Sequence, residues 1–329
     1  MDMMRFARRV AAAGLALAIG MACDAAGLPV SPESPRTPGT PALPAPTSRP
    51  AVQPTLGWQA VSAMPLPAPG ERIAYGPGPL QFGELRIPPG RGPFPVIVLV
   101  HGGCWQSAFD YRYMTHLAAW MTARGAATWT IEYRRIGDAG GGWPGTFIDV
   151  ARATDQLRRI ATTHPIDVDR VLAAGHSAGG QLALWLASRA RLAPDSTLYQ
   201  PNPLPIRGVL GLAAITDLAR YRVGPPDSCN ASVDALLGGG TAVYPGRYAD
   251  TSPAQRLPLG VPQVFVQGDR DPIVDPASVR AYVAAATRAG DRASIIALPD
   301  AGHFETSVPE TRSEAALGQA LQRLLELAR

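Results

Sequence analysis

The sequence predicts a doubly wound α/β fold: a mostly parallel sheet with helices on both faces and a small cap-like insertion. Three observations carry this. Short continuous apolar runs, such as Pro95–Val100 and Pro262–Gln267, lack the alternation of a half-exposed strand and suit a sheet covered on both faces. Segments with helical spacing separate these runs in regular alternation, which calls for parallel strands joined by crossover helices. In the middle of the chain a strand, a glycine-rich turn and a helix follow one another at 171–187.

Arg5, Arg8 and Arg9 precede the apolar run Val10–Met21, too short for a comfortable membrane span, so 1–22 reads as a signal peptide. Gly20-Met21-Ala22-Cys23 partly resembles a bacterial lipobox, but Gly20 stands where a branched apolar residue is usual. Lipidation of Cys23, with membrane anchoring, and simple secretion are both left open. Either makes the protein exported, periplasmic or otherwise extracytoplasmic. Residues 23–60 read as a tether or linker. From Pro29 to Pro54 proline recurs every few residues, a polyproline II-like spacer of about 80 Å when extended. The folded domain is assigned to 61–329, a span the size of one large α/β domain.

Within it, Arg72–Tyr75 and Leu80–Ile87 predict an opening hairpin. The strand Pro95–Val100 ends in His101-Gly102-Gly103-Cys104-Trp105. Tyr111–Arg124 is helical, with Met114, Leu117, Ala118 and Met121 on one face. Ala126–Tyr133 is a strand, and a helix runs from about Pro144 to Thr162 with Pro144 near its first turn. Val171–Ala174 and Gln181–Ala187 are the strand and helix around the central glycine turn. Gly208–Ala214 is a strand, and the irregular stretch Thr216–Tyr248 is the cap-like insertion. The strand Pro262–Gln267, the helix Ala277–Arg288, the strand Ala293–Leu298 and the amphipathic helix Glu314–Leu327 complete the chain.

Composition narrows the function. With 46% hydrophobic and 17% charged residues the chain is globular, and its net charge of +4 comes with no basic cluster interleaved with aromatics, which argues against nucleic acid as a partner. Of the three cysteines, Cys104 and Cys229 remain if Cys23 is lipidated or removed. A disulfide between them is conceivable in an oxidising compartment, but two buried free thiols are the favoured expectation.

Gly175-His176-Ser177-Ala178-Gly179 between a strand and a helix has the form of a nucleophile elbow. Serine needs a base, and the base needs an orienting acid. Candidates must sit where strands end, because loops at the carboxyl ends of a parallel sheet line the ligand crevice. His303 follows the last strand and is the candidate base; His101 and His176, inside glycine motifs, read as structural. Asp271 follows the preceding strand and is favoured as the acid over Asp269. The order Ser177, Asp271, His303 is that of a hydrolase triad. Oxyanion donors are expected from the Ala178 N–H, at the helix start, and from Gly103 or Cys104. Trp105 is either an acyl-pocket wall or a packed aromatic.

His101-Gly102-Gly103-Cys104-Trp105, Gly175-His176-Ser177-Ala178-Gly179-Gly180, Gly268-Asp269-Arg270-Asp271 and Gly302-His303-Phe304 together resemble the α/β-hydrolase superfamily, in its esterase and kynurenine-formamidase-like branch. The resemblance covers about Arg72 to Leu327. It implies hydrolysis of a small-molecule carboxylic ester or formyl amide, with no metal or organic cofactor. The export signal, the tether and Cys104, where formamidases commonly carry a larger residue, depart from the formamidases and favour a serine esterase. An amidase or formamidase and a prolyl-oligopeptidase-like peptidase are the alternatives, and a non-catalytic binding module with the same fold is the reading from a different class. Neither substrate identity nor oligomeric state is legible.

Overall fold

The computed structural model describes residues 54–224 and 228–327. The signal segment, Cys23 and the tether as far as residue 53 lie outside the described residues. The chain enters through α1 (Trp58–Ser62) and the hairpin β1 (Glu71–Ala74) and β2 (Phe82–Arg86). Then come β3 (Phe94–Val100), a 3₁₀ turn at Tyr111–Met114, α2 (Thr115–Thr122) and β4 (Ala127–Ile131). The helices α3 (Gly145–Asp155) and α4 (Leu157–Ile160) lead to β5 (Ile166–His176) and α5 (Ala178–Ser188). β6 (Val209–Leu212) precedes three short helices, α6 (Leu218–Tyr221), α7 (Asn230–Leu237) and α8 (Pro245–Thr251). β7 (Gln263–Gly268), α9 (Pro276–Arg288), β8 (Ala293–Leu298) and α10 (Glu314–Leu327) close the fold. Among the described residues no helix is long and apolar enough to cross a membrane.

The strands form one eight-stranded sheet in the order β1-β2-β4-β3-β5-β6-β7-β8. β2 pairs antiparallel with β1 and with β4, and every later pairing is parallel. The central strands are apolar at successive positions because both faces are covered. In β3, Val96, Val98 and Val100 face a core shared with Trp129, Phe147 and Trp185. Ile97 and Leu99 face the opposite core, with Leu117, Met121, Leu317 and Leu321. The two-residue period of a strand divides one apolar run between two layers. The doubly wound, mostly parallel architecture is therefore as expected, and it positions the ends of β3, β5, β7 and β8 on one edge of the sheet.

Two expectations need correction. The helix expected over Pro144–Thr162 is interrupted at Gln156, so α3 and α4 are separate pieces. The favoured pair of free thiols is a disulfide: Cys104 and Cys229, 125 residues apart in sequence, stand with their Cα atoms 5.0 Å apart and their sulfurs bonded. Sequence separation carries no information about that approach. The fold creates it by laying the residue before α7 against the loop after β3.

The cap region is held together and to the body by polar links. Arg222 and Asp234 pair at 2.6 Å across α6 and α7. Gln106 Nε2 donates to Ser232 Oγ at 2.7 Å beside the disulfide. Trp105 is fully buried, so of its two readings the packed aromatic holds; its Nε1–H donates to Gln181 Oε1 at 3.1 Å. Gln181 Nε2 in turn donates to the Thr251 carbonyl at 2.9 Å, joining α5 to α8.

Candidate active site

The turn after β5 is very tight. A Cβ at Gly179 would collide with the carbonyl oxygens of Val100 and His101. Only glycine lets α5 start this close to the end of β3. Ser177 pivots the turn at φ 56° and ψ −121°, a conformation that costs a non-glycine residue about 1–3 kcal/mol. The surroundings hold it there. The Ser177 N–H donates to the Leu212 carbonyl at 2.9 Å, and its carbonyl accepts from Gly180 at 2.9 Å and Ile215 at 3.2 Å. Neighbouring strand and helix thus fix the serine backbone, while among the described residues its Oγ has no hydrogen-bond partner.

Asp271 and His303 lie side by side. His303 Nδ1 donates to Asp271 Oδ2 at 2.8 Å, with the two side chains 4% and 0% exposed. The carboxylate is saturated: Oδ2 also accepts from Gln267 Nε2 at 3.0 Å, and Oδ1 accepts from the N–H groups of Ile273 at 2.8 Å and Val274 at 2.9 Å. Burial alone would raise the Asp271 pKa. The charge and hydrogen bond of His303, with the two backbone N–H groups, outweigh it and hold the carboxyl below the usual carboxylate range. Asp269, the alternative acid, is exposed. With Nδ1–H committed to Asp271, the neutral His303 ring keeps its Nε2 lone pair free to accept a proton. Among the described residues no direct hydrogen bond joins His303 to Ser177; the ring of His176, the residue before Ser177, donates from Nε2 to the His303 carbonyl at 3.1 Å.

The loop after β3 is fixed at Gly102. Its N–H donates to Tyr113 Oη at 2.6 Å and its carbonyl accepts from His101 Nδ1 at 2.8 Å. The other nitrogen of that ring faces Glu132 Oε1 at 3.0 Å. In a trans peptide the carbonyl and the next N–H point in opposite directions, so the Gly103 N–H faces away from the His101 ring. Gly103 has φ 95°, and a Cβ there would strike Phe109, so glycine is required on both counts. Cys104 and Trp105 continue the loop with φ 55° and 56°. The N–H groups of Gly103, Cys104 and Ala178 have no acceptor among the described residues, and Ala178 is the first residue of α5. Free backbone donors at a helix start and in an adjacent loop are suited to a developing negative charge.

Several residues of this region carry no local signal in the sequence. Tyr113 lies in an ordinary helical pattern, and only the fold brings its hydroxyl to Gly102 and, at 3.0 Å, to His176 Nδ1. Buried Glu305 accepts from Gly302 N–H at 3.0 Å and from Leu56 N–H at 2.9 Å, fastening the entering chain to the His303 loop. Trp58, at the end of the segment read as tether, packs on Phe109, Tyr113 and Phe304 with ring centroids 4.9, 5.6 and 5.8 Å away. A cavity of about 480 Å³ lies behind the acid loop, lined by Thr216, Tyr221, Asn230, Ile273 and Tyr282. Asp271 also lines it, whereas Ser177 and His303 do not.

The chain is 26% identical over 238 residues to esterase LipQ of Mycobacterium tuberculosis, an alignment covering 70% of this chain and 56% of that protein, so it spans little more than half the relative's length. Among solved structures, a truncated carbohydrate esterase from gut microbiota superposes with a TM-score of 0.68 at 17% identity, covering 80% of this chain and 97% of that one. Esterase B of Lactobacillus rhamnosis gives 0.68 at 18% identity, covering 82% and 91%. A propionate-bound thermophilic esterase of the planctomycete Thermogutta terrifontis gives 0.60 at 20% identity, covering 78% and 94%. At these identities the structural likeness is one of fold. The BD-FAE family model matches residues 85–284, more than half of the sequence, and the chain accordingly belongs to the BD-FAE family of the α/β-hydrolase superfamily.

Proposed function

We propose that this protein is a serine hydrolase of carboxylic esters, acting through Ser177, His303 and Asp271. The observation that carries the reading is the His303 Nδ1–Asp271 Oδ2 hydrogen bond of 2.8 Å at the strand ends beside the strained Ser177 turn. His303 Nε2 takes the serine proton as Oγ attacks the acyl carbon, and Asp271 stabilises the imidazolium that forms. The carbonyl oxygen becomes an oxyanion, received by the N–H groups of Ala178 and of Gly103 or Cys104. Collapse of the tetrahedral intermediate expels the alcohol, which takes the proton from His303. Water, deprotonated by the same ring, then releases the acid and restores Ser177.

Support for ester over amide chemistry comes from LipQ, named an esterase. The test is turnover of short-chain p-nitrophenyl esters beside matched formamide and dipeptide substrates. Ester hydrolysis should dominate, and Ser177→Ala should lower kcat by about 10⁴-fold or more while the far-UV and near-UV spectra stay unchanged. A folded Ser177→Ala variant at wild-type rate would remove the mechanism; a dominant formamide or peptide rate would move the substrate class. Export rests on the N-terminal segment, and the Cys104–Cys229 disulfide suits an oxidising compartment. Intact mass and palmitate labelling of the protein from its native membranes would separate an acylated Cys23 from a freely secreted chain.

A further inference from the structure

We propose that Tyr113 and His176 are positioning residues, a directional hydrogen-bond relay that locks the loop bearing Gly103 to the loop bearing His303. The inference rests on the serine-hydrolase reading above and adds two residues that touch no substrate.

The direction of the relay follows from donor chemistry. The Gly102 N–H can only donate, so Tyr113 Oη accepts at 2.6 Å and its own hydrogen goes to His176 Nδ1 at 3.0 Å. The His303 carbonyl can only accept, so His176 Nε2 carries the proton of the 3.1 Å contact. Every atom of the relay has one role, and the tautomer of His176 is fixed with Nε2 protonated and Nδ1 bare. Burial, with the neighbouring His303 charge second, holds the His176 imidazole down to about 3, so it is neutral across the working range. Burial likewise raises the Tyr113 hydroxyl, which stays protonated and able to donate.

The topology supplies the need. The Gly103 loop leaves β3, adjacent to β5, whereas His303 follows β8, three strands away on the other side. At 4.7–4.9 Å per strand that is about 14 Å to be recrossed by residues 299–302. An oxyanion donor and a general base must each come within about 3 Å of one reacting group, so their separation has to be held tightly. His176, the last residue of β5 and the neighbour of Ser177, lies between the two loops and bonds in both directions. Its ring also packs on His303 at 4.5 Å between centroids and on Tyr113 at 5.7 Å.

The experiment uses the full mature chain and p-nitrophenyl butyrate. Tyr113→Phe removes one oxygen and should lower kcat roughly 10- to 100-fold, with KM within about threefold, because misplacement of the reacting groups is felt in the transition state. His176→Gln, whose amide nitrogen can still donate to the His303 carbonyl, should retain at least several-fold more kcat than His176→Leu. Independently of turnover, ¹⁵N-histidine NMR of the wild type should show the Nε2–H tautomer for the resonance lost in His176→Gln. Unchanged kcat in Tyr113→Phe, equal rates for His176→Gln and His176→Leu, or an Nδ1-protonated or doubly protonated His176 at neutral pH would each overturn the relay. A wild type inactive on all esters would defeat the functional reading instead, and the NMR result would still decide the relay.

Discussion

Asp271 is committed on all sides: one oxygen takes two backbone N–H groups and the other takes Gln267 and His303. Replacing it by Asn preserves size but puts an amide N–H₂ where an acceptor is needed. The His303 ring would then settle with its proton on Nε2, the nitrogen that must be bare. Asp271→Asn should therefore lower kcat by about 10⁴-fold in steady-state assays, whereas exposed Asp269→Asn should stay within about twofold. A loss of less than tenfold for Asp271→Asn would assign the acid elsewhere. At this scale the sequence was informative where chemistry is tied to chain order. Asp271 and His303 follow strands, in the order serine, acid, base, and those positions alone pointed to the pair that the fold brings into contact. Tyr113 and Glu305 are invisible because neither has a local motif; each works through a partner far along the chain, His176 for Tyr113 and Leu56 for Glu305.

At the level of elements, the loop after β3 and the start of α7 behave as one unit. The disulfide and the Gln106–Ser232 hydrogen bond both join them. Cys104→Ser with Cys229→Ser should cost about 2–4 kcal/mol in urea unfolding, mainly by freeing the unfolded chain. Because Cys104 belongs to the loop of candidate oxyanion donors, the same variant should also lower kcat. Unaltered stability would mean that the bridge constrains nothing. The entering chain is tied just as specifically. Glu305 binds Leu56, and Trp58 packs on Phe304, next to His303. A chain starting at residue 54 should keep full activity, and one starting at residue 64 should lose most of it; equal specific activity would show that α1 is dispensable. Element legibility followed length and period. α10, with 14 residues and one apolar face, begins and ends where its sequence pattern predicts. The cap helices α6, α7 and α8, of 4, 8 and 7 residues, are too short to establish a period. The pairing of Cys104 with Cys229 depended on a Cα approach of 5.0 Å that no spacing encodes.

For the whole molecule, the central apolar strands require cover on both faces, the cover requires crossover helices, and the crossovers make most strands parallel. That geometry gathers the ends of β3, β5, β7 and β8 on one edge, and Gly103, Ser177, Asp271 and His303 each follow one of those strand ends. The fold class was legible for this reason: it follows from the pattern of apolar runs and needs no side-chain detail. Substrate identity was not, because the cap is irregular and its side chains act only through their tertiary placement. In the proposed mechanism Ser177 is the nucleophile of this assembly. The most direct measurement is reaction of the active, folded protein with a fluorophosphonate probe, followed by peptide mass spectrometry and residual ester hydrolysis. The expected result is a single adduct on Ser177 whose formation tracks the loss of activity one to one and is absent in Ser177→Ala. Loss of activity with the adduct on another residue, or an active enzyme that takes no adduct, would contradict it.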